Sequence, residues 1–126
     1  MLDTNIIIDH LRLQELNANS VLMNLVQLNP KEALAISILS VQELYEGKST
    51  KNSNKELYLL STITPLKILP YTYEIAQLGG EIARDINRSI EFVDSALAAT
   101  AIINQCHFAT LNKKDFLGIN NLSFII

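Results

Sequence analysis

Leu2-Asp3-Thr4-Asn5-Ile6-Ile7-Ile8 decides how this chain is read. Residues 1–3 can form only the stub of a strand. Residues 5–11, with Ile6, Ile7, Ile8 and Leu11, read as a short helix. A carboxylate stands between the two. An acid flanked by apolar residues lies near a core, where charge is costly unless it is paired or binds a metal. The arrangement recurs three times. Glu43 sits in Ser40-Val41-Gln42-Glu43-Leu44, Asp94 in Asp94-Ser95-Ala96-Leu97-Ala98-Ala99, and Asp115 in Thr110-Leu111-Asn112-Lys113-Lys114-Asp115-Phe116. Four such groups without obvious cationic partners suggest a site for a hard cation. Mg²⁺ and Mn²⁺ take oxygen ligands, and carboxylates supply them.

Working outward, helices and short strands alternate. Ser20 is placed to cap a helix over 21–28, which Asn29-Pro30 ends. Residues 33–37 read as a buried strand. Ser40 then caps a helix reaching Glu46, with Gly47 as its stop. Residues 49–54 are polar and turn-like, 55–63 helical, and Pro65 is a breaker. A strand over 66–69 ends at Pro70. A long helix spans 71–87, with Gly79-Gly80 as a place to bend or to admit another backbone. A second spans 92–105, with Val93, Ala96, Leu97, Thr100 and Ala101 on one face. Residues 107–110 and 122–126 are the last strands. This alternation predicts a single α/β domain over 1–126, a three-layer α/β/α sandwich around a mostly parallel sheet. In such sheets ligands bind at the carboxyl ends of the strands. Asp3 ends the first strand, Asp115 follows the strand at 107–110, and Glu43 and Asp94 ride on helices entered from that edge.

Composition sets the bounds. A chain of 126 residues with 48% hydrophobic and 18% charged residues can bury a core and is not expected to be disordered. One cysteine, Cys106, excludes an internal disulfide framework and fits a reducing, cytoplasmic setting. There is no signal-peptide pattern and no apolar run of membrane-spanning length. The net charge of −3 argues at first against a nucleic-acid partner. Setting four of the thirteen acids aside for cations leaves nine against ten basic residues. The basic residues also cluster: Lys48, Lys51 and Lys55 after Glu43, Arg84 with Arg88, and Lys113 with Lys114 before Asp115. Three groups beside acidic signatures favour contact with a phosphate backbone.

Together the motifs Asp-Thr-Asn, Ser-x-x-Glu-Leu-x-x-Gly, Asp-x-x-x-Ala-Ala and Thr-x-Asn-x-x-Asp-Phe, in this order over residues 2–126, resemble a PIN domain. The single-domain form is similar to VapC-type toxins of prokaryotic toxin–antitoxin pairs. The resemblance implies an endoribonuclease dependent on Mg²⁺ or Mn²⁺. Asp3, Glu43, Asp94 and Asp115 would be the metal-binding and catalytic acids. Asn5 and Thr110 would orient carboxylates, and Asn112 would hold the loop bearing Asp115. Lys48, Lys51, Lys113 and Lys114 are the candidate RNA contacts. The resemblance also implies a homodimer, with residues 55–63 and 71–87 as its contact surfaces. It implies a cognate antitoxin, and the apolar Leu57-Tyr58-Leu59-Leu60 run beside Lys51 and Lys55 reads either as a candidate for its groove or as core. Two departures stand out. Only Met1-Leu2 precedes the first Asp, which would put the α-amino group near the metal site, and the segment 87–93 is short and lacks a glycine.

Each acid alone has an ordinary reading, as a helix cap, a first-turn dipole partner, a surface residue or a turn residue. Their joint order argues against that. Asp9 reads as a surface group or a partner of Arg12. His10 and His107 make no zinc pattern with one cysteine, and Cys106 reads as a buried small hydrophobe. A dehalogenase-type phosphatase would want an Asp where Asn5 stands, and a phosphoreceiver would want an acidic pair and a strand-end Lys that the chain does not offer. The remaining rival is a catalytically weak or inactive binding module on the same fold.

Overall fold

A computed structural model describes residues 1–125. Six α-helices are present: α1 (Thr4–Glu15), α2 (Val21–Leu28), α3 (Ile38–Glu46), α4 (Ser53–Ile63), α5 (Tyr73–Asp85) and α6 (Phe92–Ile103). The strands β1 (Ala35–Ser37) and β2 (Lys67–Leu69) pair in parallel, with Ile36 opposite Ile68. Single parallel bridges widen the array: Leu2 joins Ile36 on one side and Ala109 on the other, and Phe108 joins Phe124. The order across it is β2, β1, Leu2, Phe108–Ala109, Phe124.

Period-two alternation turns this thin sheet into three layers. Met1, Ala35 and Phe108 face one side and pack with Leu97, Ala98 and Ala101 of α6. Their neighbours Leu2, Ile36 and Ala109 face the other side, against Ile6 and Ile7 of α1, Leu22 and Leu25 of α2, Leu44 of α3, and Leu59 and Ile63 of α4. Strand β1 is therefore buried on both faces, whereas β2 at the edge buries only Leu69 and leaves Lys67 and Ile68 exposed.

Several local expectations are corrected. Helix α1 runs to Glu15 rather than Leu11 and ends before Asn17, whose φ is 53°. The cap of α3 is Ser37, whose hydroxyl accepts from the Leu39 amide at 3.0 Å. Ser40 lies inside the helix and is fully buried. The stretch expected as a turn holds a 3-10 turn at Lys48–Lys51, and Asn52 caps α4. Thr72 caps α5 by accepting from the Ile75 amide, so that helix starts at Tyr73, and it ends at Asp85. The closing strands shrink to bridges at Phe108, Ala109 and Phe124, and Ile126 lies outside the described residues. Ser20 caps α2 as expected. Cys106 is only half-buried, at the edge of the α6 core.

The α-amino group is not near the acids. It donates to the carbonyl of His107, and the ionisable groups around it are Cys106 and Glu32. In a parallel array that is the amino edge of the strands, opposite the edge where Asp3 stands.

Candidate functional site

Asp3 is held by backbone on both sides. Its amide donates to Ala109 O at 2.8 Å, and its carbonyl accepts from the Ile6 amide at 3.0 Å as α1 begins. The carboxylate leaves the carboxyl end of the central strand, and Asp3 as a residue is only 7% exposed. Thr110, at the end of the neighbouring strand, donates to Asp3 Oδ2 at 2.7 Å. The Thr110 oxygen accepts from the Asn112 amide at 3.1 Å and from Asn5 Nδ2 at 3.4 Å. Asn5 Oδ1 accepts from the Leu111 amide at 3.3 Å. One hydroxyl thus uses its donor and both acceptor positions to tie α1 to the loop after Ala109. Asn112 acts through its backbone: its carbonyl also accepts from the Asp115 amide at 3.0 Å.

Glu43 sits on the second turn of α3. Its Oε1 accepts from the Thr4 hydroxyl at 2.6 Å, and Thr4 Oγ1 lies 2.8 Å from Ser40 Oγ. Thr4 and Ser40 are both buried. Sequence reading passed over both as site residues, although Thr4 adjoins Asp3 and Ser40 lies three residues before Glu43 on one helical face. Asp94 is in the first turn of α6, and Asp115 is in a 3-10 turn at Lys113–Phe116 that is anchored by buried Phe116.

The four carboxylates share one field. Burial, followed by the charges of Asp3, Asp115 and Glu43, pushes Asp94 up to about 6. Burial also raises Asp3, against the pull of Thr110 and the Thr4 and Asn5 amides, and Glu43 raises it further. Ion pairs among the described residues are Arg12–Asp9, Lys55–Glu15 and Arg84–Asp85, and none touches the four acids. Among the described residues no three acidic, histidine or cysteine side chains form a ready ligand cluster. The acids lie near enough to raise the pKa of Asp94 and of Asp3 without forming a closed ligand cluster.

Residues 1–120 match the family model of the PIN domain. This chain belongs to the PIN-domain family. It is 33% identical over 120 residues to Ribonuclease VapC19 of Mycobacterium tuberculosis, spanning 92% of this chain and 90% of that one. Among solved structures, VapBC2 of Rickettsia felis bound to a promoter DNA fragment superposes with a TM-score of 0.82 at 23% identity, over 98% of this chain and 95% of that one. DNA-bound VapBC of Salmonella typhimurium gives 0.80 at 23%, over 98% and 94%. Both share the PIN architecture derived above.

The basic residues of this PIN domain divide. Lys48, Lys51, Lys113 and Lys114 are exposed, and Lys113 lies over the Phe124 ring, 5.4 Å from its centroid. Lys55 is 3.7 Å from Glu15. Arg84 is paired with Asp85. Arg88 lies past the end of α5, so the two arginines do not share a helix face. Asp9 is buried, accepts from the Val21 amide at 3.3 Å and so helps start α2.

A groove of about 520 Å³ runs between α1, α3 and α4. Ile8, Leu11, Leu44, Leu59 and Tyr58 line it, together with Glu43. Within the expected docking run, Leu59 is core, Tyr58 lines the groove and Leu57 is exposed.

Proposed function

We propose that this PIN domain is an endoribonuclease that hydrolyses RNA phosphodiester bonds with Mg²⁺ or Mn²⁺, and that it is the toxin of a toxin–antitoxin pair. The observation that carries the reading is the convergence of Asp3, Glu43 and Asp115 on a partly buried Asp94, which burial first and then their charges raise to about 6. An all-oxygen donor set with no cationic side chain paired to it suits a hard divalent cation. Asp3, Glu43 and Asp94 would hold the ion, with Asp115 completing the set directly or through water. When bound, the metal supplies an activated water and neutralises charge on the leaving oxygen.

The chain's own residues prepare the site. Thr110 and Asn5 fix the rotamer of Asp3, and Thr4 with Ser40 fixes Glu43. A donor on one oxygen of each carboxylate, Asp3 Oδ2 and Glu43 Oε1, leaves the other oxygen for the ion. Lys113 and Lys114, on the turn carrying Asp115, and Lys48 and Lys51, past the helix carrying Glu43, would hold the RNA backbone. Relatives solved as VapBC complexes support an antitoxin partner, and the apolar groove that Glu43 helps to line suits an antitoxin segment. A homodimer in the cytoplasm completes the reading.

The test compares wild type with Asp3→Ala, purified in parallel to control for contaminating ribonuclease. Wild type should cut single-stranded or loop RNA with Mn²⁺ and stop on addition of EDTA, while the variant loses at least about a hundredfold in rate, the scale of losing a group that orients the metal or more. Equal cleavage by both overturns the mechanism. Cleavage by neither favours the inactive binding module.

A further inference from the structure

Asp115 differs from the other three acids. Asp3 is the last residue of a strand stub, and Glu43 and Asp94 are on α-helices, but Asp115 stands on a 3-10 turn of four residues in a connecting segment. Beyond the Asp115 amide's bond to Asn112 O, side chains hold that turn from both sides. Phe116 is buried against Phe108, with ring centroids 4.8 Å apart. On the outer side, Arg88 reaches across from the α5–α6 connection. Its Nη2 donates to Asp115 O at 2.9 Å and to Leu117 O at 2.8 Å, and its Nη1 donates to Ser89 O at 3.3 Å. One guanidinium therefore joins the segment leading into Asp94 to the backbone of Asp115 itself.

The choice of acceptor is informative. A cation 27 residues away in sequence sits on the carbonyl of an acidic residue yet forms no ion pair with any carboxylate of the site. Were Arg88 to neutralise the acids, it would compete with a divalent cation. Bound to carbonyls, it fixes the turn and leaves the Asp115 carboxylate available. The same engagement removes Arg88 from the phosphate-contact group to which its charge alone assigns it.

We propose that Arg88 is a positioning residue that clamps the Asp115 turn to the α5–α6 connection, and so sets the distance between Asp115 and Asp94. The clamp needs a planar fork. Nη2 makes both bonds across to the turn while Nη1 holds Ser89 O, and a lysine ammonium, a point donor on a flexible stem, has no second nitrogen to fix the head in that plane. Because the carbonyls are exposed, loss of the bridge frees the turn without unfolding the domain. The proposal rests on the ribonuclease reading for its catalytic consequence, but not for its structural one.

The experiment uses Arg88→Ala and Arg88→Lys in the full chain, with Lys114→Ala as the comparison for a backbone-binding lysine. In metal-free protein without RNA, amide exchange over residues 111–117 should quicken about tenfold in both Arg88 variants, the size expected for losing bonds from a charged donor. Exchange in α6 should stay unchanged. In RNA cleavage, kcat should fall about tenfold and the half-saturating Mn²⁺ concentration should rise, while KM and its salt dependence stay at wild-type values. Lys114→Ala should show the converse, a raised KM and a shallower salt slope. Unchanged exchange at 111–117 overturns the clamp. So does a KM and salt response matching Lys114→Ala, which would make Arg88 an RNA contact, and so does full rescue by lysine. If wild type cleaves no RNA, the ribonuclease reading falls while the exchange result still decides the clamp.

Discussion

Among single residues, Thr110 concentrates the most constraint. Its hydroxyl donates to Asp3 and accepts from Asn5 and from the Asn112 amide, all at one buried position. Valine has nearly the same shape and none of these bonds. Thr110→Val leaves a buried carboxylate oxygen without its donor, which costs about 1–3 kcal/mol. Denaturant unfolding of Thr110→Val should show a midpoint loss of that size with unchanged slope, and Thr110→Ser should recover most of it. A neutral Thr110→Val would mean that Asp3 is oriented by its backbone alone. The residue types at this site were legible in the sequence, because carboxylates beside apolar residues need an explanation. The partners were less so. Ser40 looked like a cap because it precedes a helical pattern, yet Ser37 takes that role and Ser40 turns inward to Thr4.

At the level of elements, the pair α5 and α6 shows why two adjacent glycines are not equivalent. Gly79 is buried, and a Cβ there would lie 3.5 Å from Ser95 O and 3.6 Å from Ala96 Cα, an ordinary contact with nothing to spare. Gly80 faces open space. Gly80→Ala should therefore stabilise the protein by about 1 kcal/mol through helix propensity alone. Gly79→Leu should destabilise it by forcing α5 off the first turn of α6, where Asp94 lies. Chemical denaturation of both variants checks this, and a destabilised Gly80→Ala would contradict the exposed placement. The sequence marked this pair as a place for close approach, but which glycine makes the approach depends on how α5 is rotated against α6. Helix existence was readable from periodicity, as were both ends of α2 and the Glu46 end of α3, but Thr72, Asn52 and Ser37 each outcompeted the expected start as caps.

For the whole molecule, the main consequence is a stability that depends on pH and cation together. Asp94 has its folded-state pKa raised from 3.8 to about 6, chiefly by burial and then by Asp3, Asp115 and Glu43. Between those values the folded protein holds more protons than the unfolded chain, so ionising Asp94 opposes folding. The penalty is absent below the unfolded value and complete above about pH 6. In EDTA, Asp94→Asn should therefore gain thermal stability relative to wild type as pH rises from 4 to 7. Millimolar Mn²⁺ at pH 7 should reverse the order, because a ligand bound only by the folded state stabilises it and the variant lacks a carboxylate to bind it. A melting difference that is flat with pH and indifferent to Mn²⁺ would remove the electrostatic basis of the site.

The sequence by itself determined the fold class and singled out the four acids proposed as the site. Alternating short apolar strands and amphipathic helices leave few other ways to bury 48% hydrophobic residues, and an acid at the end of a strand, as Asp3 is, is placed at the ligand edge by chain direction alone. Tertiary structure alone decided how those acids are held. Whether a hydroxyl caps its own helix or reaches Thr4, or whether an arginine meets a phosphate or two carbonyls, depends on distances between segments remote in sequence. Arg88 and Leu117 are 29 residues apart, and Thr110 and Asp3 are 107 apart. No local pattern encodes such separations, because they are set by how two apolar layers close on a sheet only three residues deep.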